Sequence, residues 1–318
     1  MEILFNIFIQ PFIEMFTAPD LLIQVLWEGF VSGTLYALIA LGFVLIFKAS
    51  GVFNFAQGIM VVFGALSLVG LYSLGFPAYV ALALCILIMF LLAATVERFV
   101  MRPLVNQEPI ILFMATIGLT FFLIGFGEFV FGGEPKLMIT EELGLPTGSY
   151  DIEAFGGLII LQQIDISAAL IAGAMVAALA VFFNKTRIGR ALRAVADDHQ
   201  AAMSVGITLQ QIWVIVWFAA GIVALATGIM WGARSDVSFA LQIIALKALP
   251  VLILGGLTSI PGAIVGGLII GLSEKMLEFY WGPMLGGSIE SWVPYFVALI
   301  FLWFMPQGLF GERIIERV

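Results

Sequence analysis

The stretch Lys185–Ile207, KTRIGRALRAVADDHQAAMSVGI, is the longest polar interruption in a sequence otherwise dominated by membrane-type hydrophobicity. Four of the chain's 13 Lys and Arg residues fall in its first nine positions: Lys185, Arg187, Arg190 and Arg193. Asp197, Asp198 and the only histidine, His199, follow. A basic segment between two apolar spans marks the cytoplasmic side, because Lys and Arg are retained there during insertion. Within it, residues 188–206 read as a short helix. Ile188, Leu192, Val195, His199 and Met203 recur at helical spacing on one face, and Arg193 with Asp197 forms an i,i+4 pair. Two readings of this helix are open: an amphipathic surface helix at the headgroups, or a rigid docking helix for a cytoplasmic partner. The residue pattern alone favours the surface helix.

Composition sets the class. The 318 residues are 62% hydrophobic and 11% charged, with a mean hydropathy of +1.15. Soluble domains are about 45–50% apolar and about 25% charged, so the chain reads as an all-α polytopic membrane protein with the bilayer as its solvent. One cysteine, Cys85, lies in an apolar span, which rules out a disulfide framework and a thiolate metal site. No Lys or Arg precedes Lys48, so the basic n-region of a secretory signal peptide is absent.

Working outward from the organising stretch, the hydrophobic pattern predicts spans over roughly 21–47, 58–74, 78–97, 109–131, 164–183, 212–232, 241–258, 261–280 and 290–305. Residues 3–16, too short to cross, read as an interfacial helix that ends at Pro19 and Asp20. Residues 132–163 form a long acidic loop. Between Lys48 and Gly58, Asn54 and Gln57 sit among glycines and apolar residues. This is either a helix break lining a cavity or an ordinary interhelical turn. Pro250, Gly255, Gly256, Pro261 and Gly262 likewise predict that residues 247–262 are partly unwound or re-entrant. Gly262 with Gly266, and Gly267 with Gly271, are small-xxx-small pairs suited to close helix contact.

If Lys185–Arg193 is cytoplasmic, alternation of these spans places Lys48, Arg98, Arg102, Arg313 and Arg317 there too, nine of the 13 basic residues. The expectation is a bundle of about eight or nine transmembrane helices, N-terminus outside and C-terminus cytoplasmic, with broken or re-entrant segments. Ionisable groups inside the spans are the functional candidates, since charge in a bilayer is costly. Lys247 leads them: an interior lysine bonded to carbonyls or a carboxylate, against a lysine snorkelling to the outer interface. Glu128, Glu274 and Lys275 read as snorkelling residues, and Glu97 with Arg98 as an interfacial salt bridge.

No G-x-x-x-x-G-K-[ST] occurs, because none of the five lysines follows a glycine, and there is no H-E-x-x-H. These absences argue against a membrane-embedded enzyme and make transport or conduction the better class.

Several segments carry a specific resemblance: SGTLYALIALGFVLIF (32–47), NFAQG (54–58), ERFVMRPL (97–104), GRALRAVADDHQAAMSVGI (189–207), KALPVLILGGLTSIPGAIVGGLIIGLSE (247–274) and MPQGLFG (305–311). In order and over nearly the whole chain, they resemble the permeases of high-affinity branched-chain amino-acid ABC importers, most closely the first of the two permease subunits. The departures are residues 1–28, the 132–163 loop, and Gln57 where many relatives are expected to carry His. The resemblance implies a single transmembrane permease domain over 1–318, with 1–20 as an interfacial segment, 132–163 as an extracytoplasmic loop and 184–211 as a cytoplasmic coupling loop. Gly189, Arg190, Arg193, Ala194, Asp197, Asp198 and Gly206 would then transmit ATPase closure, and Asn54, Gln57 and Lys247 would line the translocation pathway.

The implied partners are two P-loop ATPase subunits, a second homologous permease, an extracytoplasmic substrate-binding protein, a small-molecule substrate and membrane lipid, with no nucleic acid. ATP and magnesium would be used by the ATPases and no cofactor held by this chain. The implied location is the bacterial or archaeal inner (plasma) membrane. The implied solute is leucine, isoleucine or valine, although relatives with these motifs carry urea, short amides or aromatic acids. The rival from another class is a self-sufficient channel or secondary transporter, which would work without partners.

Overall fold

The computed structural model describes residues 5, 7–104, 107–197, 199–204 and 206–311. Among them, six helices are long and apolar enough to cross a membrane: Pro19–Ser50, Ala78–Leu104, Pro109–Phe131, Gln163–Lys185, Leu209–Arg234 and Ile260–Leu285. Three shorter apolar helical segments, Gln57–Ser73, Leu241–Gly255 and Val293–Phe304, pack among them. The chain is a multi-pass all-α membrane protein. In chain order the α-helices are α1 (Gln10–Thr17), α2 (Pro19–Ser50), α3 (Gln57–Ser73), α4 (Ala78–Val96), α5 (Pro109–Phe131), α6 (Gln163–Lys185) and α7 (Arg187–Asp197). They continue with α8 (His199–Ser204), α9 (Leu209–Arg234), α10 (Leu241–Leu246), α11 (Ala248–Gly255), α12 (Ile260–Leu285) and α13 (Val293–Phe304).

The axis of the molecule is α2, 32 residues and, at about 1.5 Å per residue, about 48 Å long. Pro19 at its first position and Asp20 in its first turn start it, and Gly51 in the left-handed region stops it. From Val31 to Ala49 it is buried on nearly every side. It lies against α12, which runs the opposite way. A Cβ placed on Gly33 would stand 2.8 Å from the carbonyl oxygen of Gly267, and one on Gly29 would stand 2.9 Å from Cα of Leu272. Dispersion forces between nearly touching backbones hold this seam, since lipid supplies no hydrophobic drive between helices. The predicted small-residue pairs on α12 are therefore contact surfaces. Gly267 and Gly271 face α2, while Gly262 and Gly266 face α11.

The end of the bundle that carries Lys48 and the polar stretch is called the basic end. There Trp213, near the start of α9, donates its indole N–H to the Ala49 carbonyl (3.2 Å). The backbone N–H groups of Leu309 and Phe310 donate to the Leu254 and Gly255 carbonyls (2.8 and 3.2 Å), so the MPQGLFG segment straps the end of α11. The opposite, acidic end carries the 132–163 segment. Its second half is a β-hairpin, where the sequence reading expects only a loop. Ser149–Ala154 pairs with Gly157–Gln162 through a two-residue turn, Phe155–Gly156, with φ of 56° and 86°. Positive φ at both turn positions is the geometry whose twist matches a tight hairpin. The hairpin rests on Asp20 at the start of α2. Helix α1 lies at the same end, where Trp281 of α12 donates to the Ile7 carbonyl (2.9 Å) and meets the Phe12 ring edge-on.

Candidate functional sites

Where the sequence predicts a helix over 188–206, the described residues of the polar stretch are helical over Arg187–Asp197 (α7) and His199–Ser204 (α8). Asp198 lies outside the described residues, as do the side chains of Asp197 and His199. Leu192 and Val195 are buried as predicted, and Ala202, seven residues after Val195 and so on the same helical face, is buried with them, whereas Met203 is 48% exposed. Thr186 starts α7 by accepting the Gly189 N–H (3.0 Å). Gly189 is packed on Phe183, whose Cα a Cβ would approach to 2.6 Å. Arg193 donates to the Phe183 carbonyl, satisfying a C-terminal acceptor of α6. Gly189 and Arg193 thus fix α7 to the end of α6. Arg187 and Arg190 are exposed on it, and Ala194 is half-buried. Gly206, with φ of 87°, turns the chain out of α8 toward α9.

Beside α8 the chain of α4 continues as a π-helical turn, Glu97–Met101. Here the predicted Glu97–Arg98 pair is replaced by Glu97–Arg102, with Nε–Oε1 and Nη2–Oε2 contacts of 3.0 and 2.8 Å. The wide turn brings residues five apart to one side, whereas Arg98 points away over the Phe99 ring. Between this turn and the end of α8 lies a groove of about 330 Å³, lined by Arg102, Met203 and Gln210.

The second site lies inside the bundle. Residues 51–56 do not form a turn at the bundle's edge. The amide of Gln57 is packed on Gly42 and donates to the Ala220 carbonyl (3.2 Å). Gly42 is eight residues back from Ser50, about 12 Å up the α2 axis, so the chain climbs back into the bundle before α3 begins. Thr116 of α5 pins this segment, donating to the Phe53 carbonyl (3.1 Å) and accepting the Phe55 N–H (3.3 Å). Asn54 accepts the Ala56 N–H (3.0 Å) and shapes the turn into α3. Asn54 and Gln57 are both fully buried within this chain.

The interruption of the seventh span falls at Lys247, between α10 and α11. Its Nζ lies 3.0 Å from Oε1 of Glu274, and the Tyr36 hydroxyl donates to the same oxygen (3.1 Å). Glu274 is 1% exposed, so it is an interior partner and does not snorkel as the sequence suggests. Eight residues above Tyr36 in the chain is Glu28 and twelve below is Lys48, so Tyr36 belongs to the middle of the span. Lys275 leaves α12 in another direction, to Glu290 (2.9 Å).

A pair that the sequence reading missed completes the network: Arg234 Nε to Asp165 Oδ1 at 2.8 Å. Arg234 also donates to Ser32 (3.4 Å) and lies over the Trp231 ring, which stacks on Tyr36. The available signal was a charge in the last turn of α9 and another in the first turn of α6. These groups border a polar cavity of about 460 Å³ at the acidic end, lined also by Glu28, Thr140 and Gln162.

Residues 25–305 match the family described as branched-chain amino acid transport system / permease component. The chain belongs to this family. The permease is 26% identical over 317 residues to the high-affinity branched-chain amino acid transport system permease protein BraD of Pseudomonas aeruginosa, covering 93% of this chain and 98% of that one. LivH of Escherichia coli K12, of the same description, is 26% identical over 313 residues, with 93% and 97% covered. A probable LivH of Methanocaldococcus jannaschii is 26% identical over 312 residues, with 92% and 94% covered. Among solved structures the permease resembles PsaBC from Streptococcus pneumoniae in complex with Fab, with a TM-score of 0.50 at 13% identity over 89% of this chain and 92% of that one. That likeness is one of fold alone. The permease is a transport subunit of the ABC importer type, and the family works with ATPase and substrate-binding partners in general.

Proposed function

We propose that the chain is one permease of a binding-protein-dependent importer for branched-chain amino acids. A second homologous permease completes the path, an extracytoplasmic protein delivers the solute, and two P-loop ATPases dock at the basic end, which faces the cytoplasm. The observation that carries the reading is the family match over residues 25–305, with relatives named as branched-chain amino acid permeases along almost their whole length. The sequence has no P-loop of its own, so ATP and magnesium belong to the partners. Helix α7 suits the docking role, because Gly189 and Arg193 anchor it to α6 while Arg187 and Arg190 stay exposed for an acidic cleft. Force on α7 would pass into the spanning helix α6 as a rigid-body movement.

The test is purification from native cells in mild detergent, followed by reconstitution. Arg190→Glu is expected to lose the ATPase and to lower uptake about tenfold or more, roughly the 1.4 kcal/mol equivalent of one decade, with solute binding by the binding protein unchanged. Leucine uptake should be competed by isoleucine and valine and not by urea. A chain that arrives alone and moves solute without ATP would overturn the importer reading.

A further inference from the structure

Two interruptions of helical structure, at residues 51–56 and at Lys247, flank one groove. It has a volume of about 370 Å³ and opens between α3, α5 and α10. Its walls include Phe55 from the first interruption, Gly58 from the first turn of α3, Thr120 and Phe121 from α5, and Gln242 and Leu246 from α10. The close approach of α3 to α10 depends on Gly58, whose added Cβ would stand 3.1 Å from both the Gln242 carbonyl and Ala245 Cβ. Gly58 follows Gln57, so the groove lies at the depth to which residues 51–56 climb, inside the apolar part of the bundle.

Most of the lining is what lipid would accept: Phe121 is 69% exposed and Leu246 39% exposed. Gln242 is not. It is half-buried, and its side-chain amide has no hydrogen-bond partner among the described residues. An amide facing hydrocarbon without a partner is costly, so polar groups at this depth normally point at protein, water or a solute path. Broken helices around such a polar group are the usual construction of a transport site, and the volume is within the ~300–1,000 Å³ of small-molecule sites.

We propose that this groove is a wall of the solute path in this chain. It takes an aliphatic side chain against Phe121 and Leu246, while the Gln242 amide hydrogen-bonds the polar end of the same solute. The proposal rests on the importer reading above and adds the residues that meet the cargo. Asn54, Gln57 and Lys247 stand behind this wall and hold its two broken segments in place.

The experiment uses the importer reconstituted with its ATPases, companion permease and binding protein. Leu246→Cys, in a Cys85→Ala background, is treated with a charged, membrane-impermeant thiol reagent, with Leu91→Cys on α4 as the reference. Hydrocarbon excludes the charged reagent, so reaction at position 246 should be about tenfold faster than at 91, and slowed during leucine transport. Equal, slow reaction at both positions would make the groove a lipid-facing surface and overturn the proposal.

In parallel, Gln242→Leu should lower leucine uptake about tenfold with binding-protein-stimulated ATP hydrolysis retained. Unchanged uptake would remove Gln242 from the path. The wild type is the separate check on the underlying reading: absence of binding-protein-dependent uptake there would overturn the importer assignment itself.

Discussion

Glu274 shows what a single residue costs and secures in this protein. Its carboxylate is buried, shares one oxygen between Lys247 and Tyr36, and leaves the other, Oε2, without a partner among the described residues. Removing one member of a buried pair strands the other, typically at about 3–5 kcal/mol, whereas replacing both with apolar groups is often neutral. Lys247→Met is therefore expected to lower the unfolding midpoint in detergent markedly, and Lys247→Met with Glu274→Met to recover most of the loss. A double variant as unstable as the single one would dissociate the pair from stability.

Glu290, in the short turn Ile289–Ser291 that precedes α13 and so outside the spanning helix, behaves differently. Burial pushes its carboxyl up, but the Lys275 hydrogen bond and charge, helped by Lys247, outweigh that and hold it below the usual carboxylate range. A depressed folded-state pKa gives stability that is present above the unfolded value and lost as pH falls through the folded one. Lys275→Met should flatten that acid limb of the stability–pH curve, which thermal scans from neutral to acidic pH would read.

Elements were legible in the sequence to different degrees. The spans follow from unbroken hydrophobicity, and Pro109–Phe131 coincides with the predicted 109–131 because Pro109 starts it and Gly132 ends it. The hairpin was hidden because an exposed strand pair carries mixed polarity, and its signal is confined to the Phe155–Gly156 turn and the alternation around it. The Glu97–Arg102 pair was hidden because a π-helical turn changes which residues share a side. Lys247 stood out as a charge in a span, but its partner Glu274 did not, since 27 residues separate them.

Glycine also reads differently by element. Gly33→Val would drive a side chain into the α12 backbone, and overpacking of this kind costs about 1–3 kcal/mol or more. Gly118 on α5 has nothing near its virtual Cβ, so Gly118→Ala should be neutral or stabilise by up to about 1 kcal/mol. Differential scanning in one detergent would separate the two. Equal effects would mean that the α2–α12 seam is not set by backbone contact.

At the scale of the whole molecule, burial is uneven. Helix α2 is enclosed by the other helices, while α4, α5, α6 and α13 present broad apolar faces, with Phe129 and Trp303 each 87% exposed. A chain of this shape has an inner shaft that belongs to itself and an outer surface left to lipid and to companion subunits. The composition announced the class, and the nine apolar helical segments followed from it. A carboxylate or carbonyl partner for Lys247 was foreseen but not that it is Glu274, and the Arg234–Asp165 and Lys275–Glu290 pairs were not foreseen, because hydropathy does not say which helices pack together.

The strap at residues 308–311 has a consequence for how the protein is made. The carbonyls it covers, on Leu254 and Gly255, leave the ribosome 55 residues before the amides that satisfy them. During that interval two acceptors at the end of a short helix must be hydrated or shielded, because hydrocarbon offers them nothing. The end of α11 is therefore completed only when the chain returns from α13, and a chain ending before Leu309 would leave both acceptors without these partners.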